Sequence, residues 1–213
     1  MKIFKEAPKK EIHLFFIMAF FQICGLIGIL FLDRELTLSL TPQNLLITTF
    51  CIIFIYPKKK KIFLFFIISF LIGFSFEALG VNYGLIFGNY TYGNVLGYKI
   101  FGVPIMIGIN WFFLSICCGG ISDKVFNGTT SRLILGSLLM VLIDIMIEPL
   151  APILDFWEFN GGTAPIQNYI GWFTIAFFIQ YIYQKMTINF SPIFSILVFG
   201  TQMGFFILLM FLI

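Results

Sequence analysis

Three acidic residues stand in or beside long apolar segments of this chain, where a charge is costly to bury: Glu77, Asp144 and Glu148. A charged Asp at the centre of a bilayer costs roughly 2.5–3.5 kcal/mol on insertion scales, so an acid in such a segment is a candidate functional group. Asp144 and Glu148 are four residues apart in LIDIMIEPL and therefore share one face of a helix. No Lys or Arg stands within the apolar segments to neutralise the acids, so we expect at least one of them to be protonated at neutral pH.

General acid–base catalysis is the chemistry that these residues favour. A neutral carboxyl group in an apolar setting is a strong, positioned acid, and a neighbouring carboxylate can act as a base. The alternative is structural, with the acids at the membrane interface or hydrogen-bonded to neighbouring helices. In either case the spans that contain them must bring the three side chains to a similar depth.

Two long loops on the same side of the predicted membrane face these acids. The first covers residues 80–102, and its segment NYTYGNVLGYKI alternates weakly around a Gly93–Asn94 turn, which predicts a short β-hairpin within that loop. The second runs from Ala151 to Asn168, and loops of this length between membrane helices are typically functional.

Aromatic and amide side chains in and near the loops predict a binding pocket. Asn110 and Trp111 lie deeper in an apolar segment than residues of an interfacial aromatic belt, and their polar hydrogens need partners when buried. The belt is the alternative interpretation for the other aromatic residues. The candidate substrate-binding residues are Tyr90, Tyr92, Asn110, Trp111, Trp157, Asn168 and Trp172.

The composition indicates a membrane protein. Of the 213 residues, 60% are hydrophobic and 11% are charged, with a mean hydropathy of +1.01, whereas a soluble domain has about 25% charged residues. Apolar runs of about 20 residues can cross a hydrocarbon core about 30 Å thick, and they must be helical because backbone groups in lipid bond internally. We predict an all-α, polytopic transmembrane helix bundle with about seven spans, near residues 12–32, 40–56, 62–79, 103–121, 132–150, 169–184 and 193–213.

Lys and Arg are distributed unevenly between the two ends of the predicted spans. Lys58–Lys61 fill one turn, and every other Lys and Arg except Arg34 and Lys99 falls on the same side. The positive-inside rule therefore predicts a cytoplasmic N-terminus, in a multi-pass protein of the bacterial inner (cytoplasmic) membrane. We interpret the Lys58–Lys61 run as an orientation signal beside anionic lipid, and we expect no nucleic-acid partner.

Metal and cofactor chemistry are not indicated. The single His13 cannot complete a metal cluster with the cysteines, and phosphate-binding, dinucleotide-binding and nucleophile-elbow motifs are missing from the sequence. No internal repeat or low-complexity linker divides the chain, so we expect one integral membrane domain over residues 1–213, with its first span retained. The four cysteines fall in predicted spans and are expected to be reduced and buried: Cys24, Cys51, Cys117 and Cys118.

Two stretches show a family resemblance: EALGVNYGLIFGNYTYGNVLGYKIFGVPIMIGINW and DIMIEPLAPILDFWEFNGGTAPIQNYIGW. They resemble the membrane carotenoid-biosynthesis family that includes the carotenoid 1,2-hydratases of γ-carotene and bisanhydrobacterioruberin. The resemblance extends over approximately residues 70–175, which contain most of the polar groups of the chain. Glu148 stands where the family pattern has Asp, and Phe159 where a second Trp is common.

The resemblance implies an enzyme that adds water to the terminal C1–C2 double bond of a linear ψ-end carotenoid without a cofactor. Protonation of that alkene gives a tertiary carbocation, which aromatic faces stabilise by roughly 0.5–2 kcal/mol each. On this hypothesis Asp144 or Glu77 is the general acid, and Glu148 orients or deprotonates the water. Two alternatives stay open. One is a carotenoid end-group cyclase, and the other is a non-catalytic transporter or lipid-binding protein with Asp144 and Glu148 as a proton relay.

Overall fold

The computed structural model describes residues 8–213. In this range the protein is a bundle of helices with a few very short strands at one end. Lys2 and Lys5, which contribute to the predicted cytoplasmic charge, lie outside the described residues. The helices are α1 (Lys9–Phe31), α2 (Arg34–Ser39), α3 (Thr41–Ile55), α4 (Lys59–Tyr83), α5 (Ile105–Val125), α6 (Thr129–Ile147), α7 (Ile166–Lys185) and α8 (Pro192–Leu212). The strands are β1 (Tyr90–Tyr92), β2 (Lys99–Ile100), β3 (Val103–Pro104) and β4 (Trp157–Phe159).

The prediction of an all-α membrane bundle is confirmed, and a helix covers each of the seven predicted spans. Within the described residues, six helical segments are long and apolar enough to cross a membrane, with α2 and α3 counted as one. The seventh helix, α7, has 20 residues but a less apolar sequence, because it includes buried polar residues such as Gln180 and Tyr183. It nevertheless extends along the bundle, since Asn168 contacts α6 near its end and Gln184 bonds to Asp123 of α5.

Helix α5 is the centre of the bundle. It packs against α4, α6, α7 and α8, and 78% of its most apolar 18-residue window is buried. Small residues allow this close approach, as in other membrane helices. A Cβ on Gly108 would lie 2.6 Å from the Phe70 ring, and one on Gly119 would lie 2.8 Å from the Tyr183 ring. Large side chains of α4 and α7 thus fill the space that these glycines leave.

Most of the basic residues lie at one end of the bundle, as the uneven charge distribution predicts, whereas Arg34 and Lys99 lie toward the other end. There Lys10 and Lys59 both donate to the carbonyl of Phe54, at 2.9 and 2.8 Å. Arg132 pairs with Asp123 at 3.4 Å at the same end, where α5 turns into α6. Orientation relative to the cytoplasm stays a prediction from the charge distribution.

The two long loops are joined to each other by strand pairing, which differs from the predicted hairpin around Gly93–Asn94. Strand β1 pairs antiparallel with β4 of the second loop, and a separate hairpin of β2 and β3 forms further along the first loop. The physical reason lies in Asp155, whose carboxylate accepts the backbone N–H groups of Asn94 and Val95 at 2.8 and 3.3 Å. The Gly93 N–H also bonds to the Phe156 carbonyl, so the chain after β1 is attached to the second loop and does not fold back on itself.

The charge distribution yields a testable orientation. In a chain freed of its native cysteines, Tyr98→Cys should react with a membrane-impermeant maleimide on intact cells, because Tyr98 is 76% exposed at the end opposite the basic residues. Lys60→Cys should react only after the cells are opened, since the positive-inside rule predicts that the basic turn faces the cytoplasm. The reverse labelling pattern would show that the orientation is inverted.

Candidate active site

A pocket lies where α4, α5, α6 and α7 meet the two joined loops. Its cavity volume is about 30 Å³, which is room for roughly two waters. The residues that line it are Glu77, Phe87, Tyr90, Tyr92, Ile107, Asn110, Leu114, Ile143, Asp144, Ile147, Trp157, Phe159, Asn168 and Trp172.

Glu77 is fully buried on α4 and accepts three side-chain hydrogen bonds. Tyr90 and Tyr92 both donate their hydroxyls to Oε2, the latter at 2.7 Å, and the Trp111 indole N–H donates to Oε1 at 3.1 Å. Burial, together with the neighbouring Glu77, raises the pKa of both tyrosines well above the usual range. Both hydroxyls therefore keep their protons and act as donors, so Glu77 connects α4, α5 and β1.

The chain reaches this arrangement through two glycines at the end of α4. Gly80 stands one turn after Glu77, and a Cβ there would lie 2.7 Å from the Phe87 ring and 3.0 Å from the Tyr90 hydroxyl. Gly84 ends the helix in the left-handed conformation, with φ of 64°, which favours glycine. The first loop can therefore turn back immediately and place Tyr90 against the face of α4 that carries Glu77.

Asp144 is buried on α6 and faces the pocket with one oxygen free. Its Oδ2 accepts a hydrogen bond of 2.8 Å from the Asn168 amide of α7. Its Oδ1 makes no hydrogen bond within residues 8–213. Asn168 thus fixes the carboxyl group in place while the other oxygen can exchange a proton with a molecule in the pocket.

Glu148 lies one turn beyond Asp144 and outside the pocket lining. Its Oε1 accepts the Trp157 indole N–H at 2.6 Å, and Trp157 itself lines the pocket. Burial raises the pKa of Glu148, and the hydrogen bond from Trp157 opposes part of that rise. Glu148 therefore holds the aromatic wall in position and has no direct contact with the pocket space.

Two tryptophans form a stacked pair beside the pocket. Trp111 and Trp172 lie with ring centroids 4.2 Å apart and ring planes 16° from parallel. The Trp111 side chain lies directly over Gly73 of α4, where a Cβ would come within 2.2 Å of its ring. Because Gly73 has no side chain, the Trp111 ring can lie against α4. This position allows the Trp111 indole N–H to donate to Glu77.

The structure brings together the three acids and the seven candidate binding residues predicted from the sequence. Eight of the ten line the pocket, while Trp111 and Glu148 each bond to a residue that does. Sequence reasoning missed the apolar part of the wall. A helical spacing of three and four residues from Asn110 and Asp144 identifies Ile107, Leu114 and Ile147, while Ile143 directly precedes Asp144 and the other two residues come from the loops. The missed residues are Phe87, Ile107, Leu114, Ile143, Ile147 and Phe159.

The chemistry available in this pocket is proton transfer beside aromatic faces. Among the described residues, no three His, Cys, Asp or Glu side chains come together in a way that could hold a metal ion. Trp157 and Tyr92 meet edge to face, with ring centroids 6.3 Å apart, and Tyr90 packs on Phe159 at 5.1 Å. Rings in these positions can face a developing positive charge in the pocket.

Comparison with known proteins identifies the family. Residues 42–211 match the model of the family described as carotenoid biosynthesis protein. The chain belongs to the carotenoid biosynthesis protein family. It is similar to a bisanhydrobacterioruberin hydratase of Haloarcula japonica, with 30% identity over 115 residues. The aligned region covers 48% of this chain and 38% of that relative, so the chain spans well under half of the length of the relative.

No solved structure matches the chain. The resemblance seen in the two quoted sequence stretches is thus confirmed at the level of the family. Membership gives the protein a role in carotenoid biosynthesis, and its apolar helices fit a lipid environment.

Gly73→Ala should destabilise the protein by about 1–3 kcal/mol, because the added methyl group overpacks the Trp111 ring. The variant should show a lower melting temperature in detergent, since Trp111 would be displaced from its hydrogen bond to Glu77. Gly200→Ala on α8 is the matched control, as nothing lies within 4 Å of a Cβ added there. Equal melting temperatures for the two variants would contradict the packing argument.

Proposed function

We propose that this protein adds water to the terminal C1–C2 double bond of a linear ψ-end carotenoid by acid-catalysed formation of a carbocation. The proposal rests above all on one observation: Asp144, held by Asn168, lines a pocket with aromatic walls and keeps one oxygen without a hydrogen bond among the described residues. The family and the name of the hydratase relative support the same substrate class. No redox or metal chemistry is needed for this reaction.

Asp144 is the better placed of the two candidate acids. Both oxygens of Glu77 are already engaged by donors, so a proton on Glu77 has no open route to a substrate. When Asp144 is protonated, its unbonded Oδ1 can donate the proton to an alkene carbon bound in the pocket. In this proposal Asp144 gives its proton to C2, and the positive charge develops at C1.

Glu77 then acts as a fixed negative charge near the cation. Its three donors engage both of its oxygens, which makes the carboxylate a weaker nucleophile toward the cation than an unbonded carboxylate would be. The rings of Tyr90, Tyr92 and Trp157 add π-rich surface, each stabilising a cation by roughly 0.5–2 kcal/mol. A water molecule attacks C1 and gives its extra proton to the Asp144 carboxylate, which restores the acid and completes a net addition of water.

Expression in a lycopene-producing bacterium tests this function directly. The wild-type chain should yield a carotenoid heavier by the mass of one water per modified end. Cyclisation would instead leave the mass unchanged, and a transporter or lipid-binding protein would leave the pigment chemically unmodified. Either of those results would overturn the hydratase proposal.

Asp144→Asn should lower hydration by about 10²–10⁴-fold, because the amide cannot donate the required proton. Glu158→Gln is the matched control, as Glu158 is an exposed acid of β4 that does not line the pocket. The membrane content of both variants is measured by immunoblotting of their membranes. Normal hydration by Asp144→Asn would exclude Asp144 as the general acid.

Activity should decline on the acid side as the pH falls through the pKa of Glu148, which burial raises above the ordinary glutamate range. Protonated Glu148 accepts a weaker hydrogen bond from Trp157, since charge-assisted bonds are about twice as strong as neutral ones. The decline should therefore begin at a higher pH than an ordinary glutamate would give. Glu148→Gln keeps an acceptor for the indole but does not titrate, so it should remove this limb of the pH profile. If the acid-side decline of activity is the same in Glu148→Gln as in the wild type, another group causes that decline.

A further inference from the structure

The side-chain amide of Asn110 lies in the pocket wall without a hydrogen-bond partner among the described residues. It lies on α5 between Ile107 and Leu114, and all three side chains line the pocket. Its amide oxygen and nitrogen make no hydrogen bond to any residue in the described range 8–213. By contrast, the following pocket residues all bond to neighbours through side-chain polar atoms: Glu77, Tyr90, Tyr92, Asp144, Trp157 and Asn168.

Asn110 is half-buried, and its surroundings in the pocket wall are largely apolar. Ile107 and Leu114 flank Asn110 on α5, and Ile143 and Ile147 contribute the neighbouring wall from α6. A half-buried amide in such surroundings is stabilised by keeping a hydrogen-bond partner, and among the described residues Asn110 has none. The pocket has room for roughly two waters, so a water molecule bound to the amide would satisfy it.

We propose that Asn110 holds the water molecule that attacks the carbocation, an inference that rests on the proposed hydration by this site. The amide oxygen accepts one O–H of the water and leaves a lone pair of the water directed at C1. A neutral amide is too weak a base to remove the proton, so the proton of the adduct goes to the carboxylate of Asp144. Asn110 thus positions the nucleophile, whereas Asp144 supplies and recovers the proton.

This division of roles separates cation formation from water capture. Without Asn110 the cation still forms, because Asp144 and the aromatic wall are intact. It then returns a proton from C2 or from an adjacent methyl group to the Asp144 carboxylate, and no oxygen is added. In D₂O the acid carries deuterium, so each such futile cycle can leave deuterium in the carotenoid end group.

Isolated membranes with lycopene in D₂O buffer distinguish the two steps. Mass spectrometry follows both the hydrated product and the deuterium in recovered lycopene. Asn110→Leu should lower hydration relative to deuterium incorporation by about tenfold, the effect of losing one hydrogen bond to a positioned water. Asn110→Ser keeps a hydroxyl that can hold water and should restore part of that ratio. Gln202→Leu, which removes an amide from α8 at a distance from this pocket, should keep the wild-type ratio.

Three results would overturn the role of Asn110. They are wild-type hydration by Asn110→Leu, equal loss of hydration and exchange in a variant present at wild-type levels, and a ratio in Asn110→Ser that is no higher than the ratio in Asn110→Leu. Should Asn110→Leu fail to accumulate, the Asn110→Ser ratio decides, and a lowered ratio supports the proposal. Failure of the wild-type chain to hydrate lycopene or γ-carotene is a different outcome, since it overturns the proposed function itself.

Discussion

The triple hydrogen bond to Glu77 is the interaction on which the site depends. Its donors come from β1 and α5, so one carboxyl group fixes the first loop and two membrane helices relative to each other. The cost of burying Glu77 away from water is offset by these three hydrogen bonds, because lipid offers no hydrogen-bonding groups in place of water. Pairing of β1 with β4 extends the same constraint to the second loop and hence to Trp157.

A second constraint comes from the small residues of the helices. Gly73 leaves space for the Trp111 ring, and Gly80 leaves space for Phe87 and Tyr90. These aromatic side chains can therefore pack directly against the backbone of α4. Stacking of Trp111 on Trp172 then ties α5 to α7, the helix that also supplies Asn168 to Asp144. The two acids are therefore positioned by one connected set of contacts, although they lie on different helices.

The helices and the residues of the site could be predicted from the sequence, because apolar length and unpaired acids are local signals. Glu77, Asp144 and Trp111 are conspicuous within long apolar runs for that reason. Pairing between β1 and β4 could not be predicted, since it joins residues far apart in the chain. It also depends on the Asp155 carboxylate, which accepts a hydrogen bond from the Asn94 backbone N–H. The same holds for the partner of each acid: spacing predicts that Asp144 and Glu148 share one helix face, but only the packing of α6 against α7 selects Asn168 as the partner of Asp144.

The unequal bonding of the two buried acids has a chemical consequence. A group that must protonate an alkene needs an oxygen open to the substrate, whereas a carboxylate that only stabilises the cation does so best when donors engage its oxygens and weaken it as a nucleophile. Asp144 meets the first requirement and Glu77 the second. Water at Asn110 would then be the remaining nucleophile, which favours hydration over the cyclisation that the same cation could undergo in a dry pocket.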